Sequence, residues 1–320
     1  MKRAIAFTIA ALTVACGGKT LTAEEARSAM PGAGQVQIGT PETSGQALTA
    51  APGASEVITF STAKYASDTI ALAAAVNGGV AWTLAVVELV VQFPPTSCAG
   101  DACTWGPGSN AFEVNDWELT VTKKEDKDYL WRLAGRPKTD PSVGFITLVS
   151  GEAFTTGVRH VGHGTLLIDF DAALGLARKT TDPTPQVGKI SATYDNTSGG
   201  KVSAQFLGTQ DAVFPSQRVN AAYQFFANAS GGDLQAATRN LTSDVQLTLH
   251  SRWTGTGAGR GDASFTDALG TYSRSQCWDD ATTLFNLVYQ VTSPIDPGFD
   301  MGSESACAFT SSVPPTITVP

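Results

Sequence analysis

Residues 190–206 read ISATYDNTSGGKVSAQF. Apolar residues occupy every second position on both sides of a turn rich in Asn, Ser and Gly. A period of two places apolar side chains on one face of a strand, and Asn, Ser and Gly suit tight turns. The stretch therefore predicts an antiparallel hairpin with one apolar face. Its apolar positions are Ile190, Ala192, Tyr194, Val202, Ala204 and Phe206.

The same alternation continues in both directions along the chain, in segments separated by short polar turns. It predicts roughly ten or eleven strands. Short connections favour an antiparallel up-and-down meander over parallel βαβ units. Residues 255–262, which are rich in glycine, predict a flexible hairpin turn. The alternating positions are Phe112, Val114, Trp117, Leu119, Val121, Tyr129, Trp131, Leu133, Leu166, Ile168, Phe170, Tyr223, Phe225, Ala227, Val245, Leu247 and Leu249, followed by the run 284–291.

One segment, residues 68–93, breaks this pattern because it is apolar almost throughout. Ser67 and Asp68 are typical of a helix start and Pro94-Pro95 of a helix end. A helix that is apolar on every side must be covered by protein or by lipid. A break near Asn77 favours protein over a membrane span. We therefore predict a mainly β fold with a buried helix (α+β), an antiparallel meander curled as an open or closed barrel around this helix.

Composition limits the classes of function. The chain has 320 residues, of which 42% are hydrophobic and 16% charged, so it can build a large core and is not disordered as a whole. Its formal net charge is −8, and the absence of a basic cluster disfavours nucleic acid as a partner. We expect a signal peptide at 1–15, a lipidated tether with a short helix at 16–56, one helix-plus-sheet domain at 57–310 and a tail at 311–320.

The amino terminus predicts export. Lys2 and Arg3 precede a short apolar run, as in signal peptides, and the run is too short to span a bilayer. The sequence LTVACGG at 12–18 resembles the bacterial lipobox, whose cysteine becomes the lipidated first residue of the mature chain. This resemblance implies that Cys16 anchors the protein to a membrane, at the outer membrane or facing the periplasm. Thr13 stands where the lipobox prefers leucine, so secretion after ordinary signal-peptidase cleavage is the alternative.

The remaining cysteines predict disulfides. An oxidising compartment favours pairing of an even number of cysteines, and four remain when Cys16 is set aside. Of the three connectivities, we expect Cys98 with Cys103 and Cys277 with Cys307, because each pair is nearest in sequence. No CxxC motif is present, which disfavours zinc.

The sequence holds no strong catalytic constellation. Ser61 and Lys64 have the SxxK spacing of the penicillin-binding proteins, and residues 194–196 match their YxN motif, but no KTG follows. We therefore expect no enzyme and no cofactor, with serine acyl transfer at Ser61 and Lys64 as the minor alternative. His160 and His163 would face opposite sides of a strand, which disfavours a metal site.

An acidic loop near the carboxyl terminus could bind calcium. Asp296, Asp300 and Glu304 are interleaved with glycines, and oxygen ligands of this kind suit calcium, although the spacing is not that of an EF-hand. A solvated acidic loop is the alternative, and the sequence does not decide between them.

The chain also shows two resemblances to known proteins. A curled sheet with an inserted helix resembles, in architecture only, the Lol-type lipoprotein carriers and receptors. Five short stretches resemble the uncharacterised lipoproteins of myxobacterial type, a family with no established activity. These stretches are residues 12–18, Pro94-Pro95-Thr96, Trp105-Gly106-Pro107, Ser251-Arg252-Trp253 and Cys277-Trp278-Asp279.

The functional hypothesis is binding rather than catalysis. If the helix fills the sheet incompletely, the gap would take an acyl chain, a lipid or a lipidated partner. Trp117, Trp131, Tyr194 and Phe206 would then line it. The alternative is a structural or surface-interaction lipoprotein, in which the same side chains are packed core and no ligand binds. The oligomeric state and the membrane leaflet stay open.

Overall fold

The computed structural model describes residues 20–41, 63–109, 113–179, 185–211, 216–228, 230–280, 285–293, 299–312 and 317–320. These residues form one 15-stranded antiparallel sheet in which each strand pairs with its neighbours in sequence. The sheet is not closed, and its edge strands are β1 and β15. The predicted antiparallel meander is therefore confirmed. It has more strands than the ten or eleven predicted from the alternation of apolar residues. The strands are β1 Ser97–Ala99, β2 Ala102–Gly108, β3 Asn115–Glu125, β4 Asp128–Pro137, β5 Ile146–Thr155, β6 Gly162–Asp169, β7 Lys189–Asp195, β8 Gly200–Gln210, β9 Arg218–Asn228, β10 Gly231–Asn240, β11 Gln246–Thr254, β12 Gly259–Asp267, β13 Gly270–Trp278, β14 Leu287–Thr292 and β15 Met301–Gly302.

The hairpin predicted from residues 190–206 is present as β7 and β8. Tyr194 lies opposite Val202, and Ile190 lies opposite Phe206. Gly199 in the connecting turn has a φ of 99°, a conformation that favours glycine. The turn sequence and the apolar alternation thus agree on one register.

The amino-terminal segment differs from the predicted tether. Helix α1, Ala23–Ala29, begins with the predicted capping box between Thr22 and Glu25. The segment then packs against the sheet, because it carries apolar side chains that the sheet buries. Residues 20–41 therefore belong to the core of the domain. The buried side chains are Leu21, Ala26, Ala29, Met30, Val36 and Ile38.

The apolar segment forms one uninterrupted helix, α2, from Lys64 to Gln92, so the predicted start at Asp68 and the predicted break at Asn77 are wrong. The Asn77 side chain makes two hydrogen bonds with the backbone of Ile38 in the amino-terminal segment. Its Nδ2 donates to the Ile38 carbonyl at 2.8 Å, and its Oδ1 accepts from the Ile38 amide at 2.7 Å. These contacts satisfy a polar side chain that would otherwise favour a turn.

Helix α2 contacts the rest of the protein along one stripe. Among the described side chains of α2, the buried ones are three, four or eight residues apart, as expected for a helix lying against a sheet. Ala71, Ala74 and Ala75 are exposed, so the described part of α2 is not enclosed on every side. Among the described residues, no helix combines the length and hydropathy needed to cross a bilayer. The buried stripe consists of Ala66, Thr69, Ala73, Val76, Leu84, Val87 and Val91.

Large aromatic side chains on the sheet lie over glycines of the adjacent strand. A Cβ added to Gly151 would meet the Trp131 ring at 2.8 Å, and one added to Gly232 would meet the Trp253 ring at 2.2 Å. Glycine leaves room for a ring to cover the neighbouring backbone. The directly opposite pairs are Trp117 with Gly135, Trp131 with Gly151, Tyr194 with Gly164, Trp253 with Gly232 and Trp278 with Gly259.

Both predicted disulfides are present. Cys98 and Cys103 lie opposite each other on β1 and β2. Cys277 at the end of β13 is bonded to Cys307, which follows β15. The second bond fastens the carboxyl-terminal segment, residues 299–312, to the sheet.

The predicted turn at 255–262 ends earlier than expected. Strand β12 begins at Gly259, and Arg260 and Asp262 are buried. Their ion pair, described below, compensates for burying both charges in a strand.

Candidate functional site

The four aromatic residues proposed to line a ligand cavity lie in or against the packed core. Trp131 and Tyr194 are only 2% and 4% exposed, whereas Trp117 and Phe206 are half-buried against the same core. Burial raises the pKa of the Tyr194 phenol. A cavity beside Tyr194 measures about 10 Å³, which is at the lower limit for a single water molecule. The structure therefore places these side chains in packing roles.

The opposite face of the sheet carries an open groove of about 1150 Å³ across strands β3 to β9. That volume is at or above the upper end of small-molecule sites. Leu130 and Arg132 line the groove, and Trp131 between them in sequence also borders it, although its side chain is buried against the core. Most of the lining residues are those that alternate with the core positions. Those side chains are Thr120, Thr122, Leu130, Arg132, Ser150, Glu152, Thr165, Leu167, Ser191, Thr193, Ser203, Gln205, Ala222 and Gln224.

Most of the groove is uncharged and offers hydrogen-bonding groups. Within the described part of the chain, the hydroxyls of Ser191, Thr193 and Ser203 make no hydrogen bond. The two charged side chains are neutralised by neighbours. Arg132 pairs with Glu118 at 3.3 Å, and Glu152 pairs with Lys124 at 2.6 Å. A ligand would therefore meet hydroxyl and amide groups, with apolar contact from Leu130 and Leu167.

The end of the chain itself lies against this groove. Ile317 and Thr318 are among its lining residues. The side-chain amide of Asn220 donates to the Pro320 carbonyl oxygen at 2.5 Å. Part of the groove is therefore in contact with another segment of the same chain, residues 317–320.

The remainder of this face, on β10 to β13, carries a buried charged cluster. Arg260, 1% exposed, binds Asp262 through Nε at 2.9 Å and Glu304 through Nη1 at 2.8 Å. Arg252 donates to Asp262 at 3.3 Å and to the Thr310 carbonyl at 2.7 Å. These bonds hold the carboxyl-terminal segment over the sheet, together with the Cys277–Cys307 bond.

His250 extends this cluster. Its Nε2 is 2.9 Å from Asp233 Oδ1, and its Nδ1 is 2.8 Å from Ser312 Oγ. Ser312 in turn donates to Asp262 Oδ2 at 3.0 Å. The sequence does not predict this hydrogen-bond network, because its members come from three strands and the carboxyl-terminal segment and no local motif links them.

The described residues do not bring together the other catalytic or metal-binding residues considered from the sequence. Ser61 and Cys16 lie outside them, and Lys64 pairs with Asp68. His163 stacks on Phe154, with ring centres 4.7 Å apart, and does not join His160. No group of three or more His, Cys, Asp or Glu side chains in the described ranges could hold a metal ion.

The acidic loop is only partly described. Asp300 accepts from the Thr292 amide and Glu304 pairs with Arg260, while Asp296 lies outside the described residues. Calcium binding by this loop stays a prediction.

The protein is thus an open antiparallel meander whose apolar face is covered and whose opposite face carries a groove. No family model, curated protein or solved structure matches this chain, and nothing in these comparisons points to an enzyme family.

Proposed function

We propose that this protein is a non-catalytic binding protein of the cell envelope, anchored through Cys16, whose groove holds an extended polypeptide segment of a partner. The observation that carries the proposal is the run of unpartnered hydroxyls along an open groove that the chain's own Ile317 and Thr318 already contact. The two disulfides support an oxidising, exported location.

The groove suits a polypeptide because of its chemistry. An extended backbone presents a donor and an acceptor at each residue, and these can match a row of Ser, Thr and Gln side chains. A bare acyl chain would instead desolvate the hydroxyls without replacing their hydrogen bonds. Ligand binding inside the apolar core, the sequence-based hypothesis, would require the helices to move away from packed side chains.

The test measures binding of an uncharged fluorescein-labelled peptide, Ac-ATVSATVS, to the purified protein by fluorescence anisotropy. Thr193→Trp, which fills the groove, should weaken binding by about tenfold or more. Thr147→Trp is the matched control, because Thr147 is also exposed on a strand but does not line the groove, and it should leave binding unchanged.

Two other ligand classes are outcomes of the same test. Binding of dansyl-undecanoic acid that Thr193→Trp abolishes, without peptide binding, would make the groove a lipid site and overturn the polypeptide proposal. Absence of binding by both probes would favour a structural lipoprotein. Native mass spectrometry of the purified protein shows whether a lipid is already bound.

A further inference from the structure

The two disulfides each join a buried cysteine to an accessible one. Cys277 is fully buried in one bond and Cys103 in the other. Their partners can be reached from solvent, since Cys307 is half-buried and Cys98 is exposed. A thiolate from solution therefore attacks Cys307 or Cys98, and the buried sulfur is the one that leaves.

The groups beside the two buried sulfurs differ in charge. The buried Arg260 lies directly opposite Cys277, and its Nη1 is 3.8 Å from Cys277 Sγ and 3.8 Å from Cys307 Sγ. Cys103 Sγ lies 3.8 Å from the carbonyl oxygen of Leu21. A guanidinium stabilises a departing thiolate, whereas a carbonyl oxygen presents partial negative charge to it. The buried sulfur is therefore the better leaving group in the Cys277–Cys307 bond.

We propose that Cys277–Cys307 is a thiol–disulfide exchange site, at which a dithiol attacks Cys307 and the Cys277 thiolate leaves beside Arg260. The first thiolate forms a bond to Cys307 Sγ, and the electrons of the broken S–S bond stay on Cys277 Sγ. The second thiolate of the dithiol then attacks the first, and Cys307 leaves. The dithiol is oxidised to a disulfide by the two electrons that reduce the protein. Of its two protons, one goes to Cys307 and the other to water.

The same nitrogen of Arg260 also holds the loop that carries Cys307. Nη1 donates to Glu304 Oε1 at 2.8 Å. A thiolate at Cys277 competes with Glu304 for this donor, so exchange loosens the loop. Thr310 is bonded to the sheet through another arginine, so the segment beyond the loop stays in place. The site lies on β12 and β13, away from the groove on β3 to β9, and its test is independent of the proposed function.

Reduction of the wild-type protein by limiting dithiothreitol tests the proposal without a substitution. Any free Cys16 thiol is first blocked with iodoacetamide, and new thiols are trapped with N-ethylmaleimide and located by peptide mass spectrometry. The bond between Cys277 and Cys307 should open at least about tenfold faster than that between Cys98 and Cys103, although Cys98 is the more exposed. Equal rates, or the reverse order, would overturn the proposal.

Two variants of one ion pair separate the charge of Arg260 from mere loosening of the loop. Arg260→Met removes the guanidinium and should slow reduction of Cys277–Cys307 by about tenfold. Glu304→Gln breaks the same ion pair but keeps the guanidinium, so reduction should be at least as fast as in the wild type. If loosening set the rate, both variants would react faster. An Arg260→Met variant as fast as the wild type or faster, or a slower Glu304→Gln variant, would overturn the role of Arg260. The other disulfide is the internal control in every sample, and the wild-type order decides the proposal if Arg260→Met does not fold.

Discussion

The two faces of the sheet are stabilised by different physics. The apolar face is sealed by α1, α2 and the segment 20–41, and aromatic rings on it cover glycines of the next strand. The opposite face is held by a disulfide and a buried ion cluster at one end and is open at the other. Packing thus supplies stability on one face, while the other face is free to present polar groups to a ligand.

The largest expected difference in stability is between alanine variants of two adjacent residues whose side chains lie on opposite faces of the sheet. Trp131→Ala removes a ring that is 2% exposed and should lower the free energy of unfolding by about 3–5 kcal/mol. Leu130→Ala, next to it in sequence but 45% exposed in the groove, should cost less than about 1 kcal/mol. Urea unfolding of both variants measures the difference. Equal losses would mean that the two faces are not distinct in packing.

The disulfides give the next largest effect, and one of them, Cys277–Cys307, holds the carboxyl-terminal segment over the polar face. Cys277 and Cys307 are separated by 30 positions, so removing the bond should cost about 3–4 kcal/mol through the entropy of the unfolded chain. Cys98 and Cys103 are separated by 5, which predicts about 2 kcal/mol.

Paired Cys→Ala variants, compared by thermal unfolding, test this order. We expect the Cys277/Cys307 variant also to loosen residues 299–312, which hydrogen exchange of their amides would detect. Protection of that segment equal to the wild type would show that the ion cluster alone holds it.

The sequence predicts the fold well where the residues that determine a local structure are also close in sequence. The hairpin of β7 and β8, the capping box at Thr22 and both disulfides follow from local spacing, and all are present. The sequence does not predict strand β12, because Arg260 and Asp262 resemble turn residues unless they pair with each other, with Arg252 on β11 and with Glu304.

The site was harder to predict for the same reason. The groove is made of Ser, Thr and Gln at the positions between core residues, and such residues are usual on any solvated strand face. Only the order of the strands in the sheet brings such residues from β3 to β9 side by side along one groove. The core role of Trp131 and Tyr194, in contrast, is the outcome that their alternation favours for any single aromatic residue.

The smallest expected effect on stability concerns the Asp128 carboxylate. Unlike the carboxylates of the charged cluster, it has few hydrogen bonds and ion pairs to offset the cost of its burial. Asp128 begins β4, and its Oδ1 is buried without a hydrogen-bond partner in the described structure. Desolvation, reinforced by the nearby Glu152, raises the pKa of Asp128 above its ordinary value of 3.8. The folded state therefore holds this proton more tightly than the unfolded state, so stability is lost as pH rises through the raised pKa.

Asp128→Asn removes the charge and should make the protein more stable at pH 7 by about 1 kcal/mol, since it relieves the cost of burying a carboxylate whose Oδ1 has no hydrogen-bond partner in the described structure. Below the ordinary carboxyl pKa of 3.8 both proteins carry a neutral side chain there, and their stabilities should converge. The control is Asp126→Asn, since the Asp126 side chain is 84% exposed and should change little at either pH. Urea unfolding at pH 7 and pH 3 decides the sign. A variant less stable than the wild type at pH 7 would mean that Lys124, 3.6 Å from Asp128, compensates for the burial of this carboxylate as fully as the arginines compensate for that of Asp262.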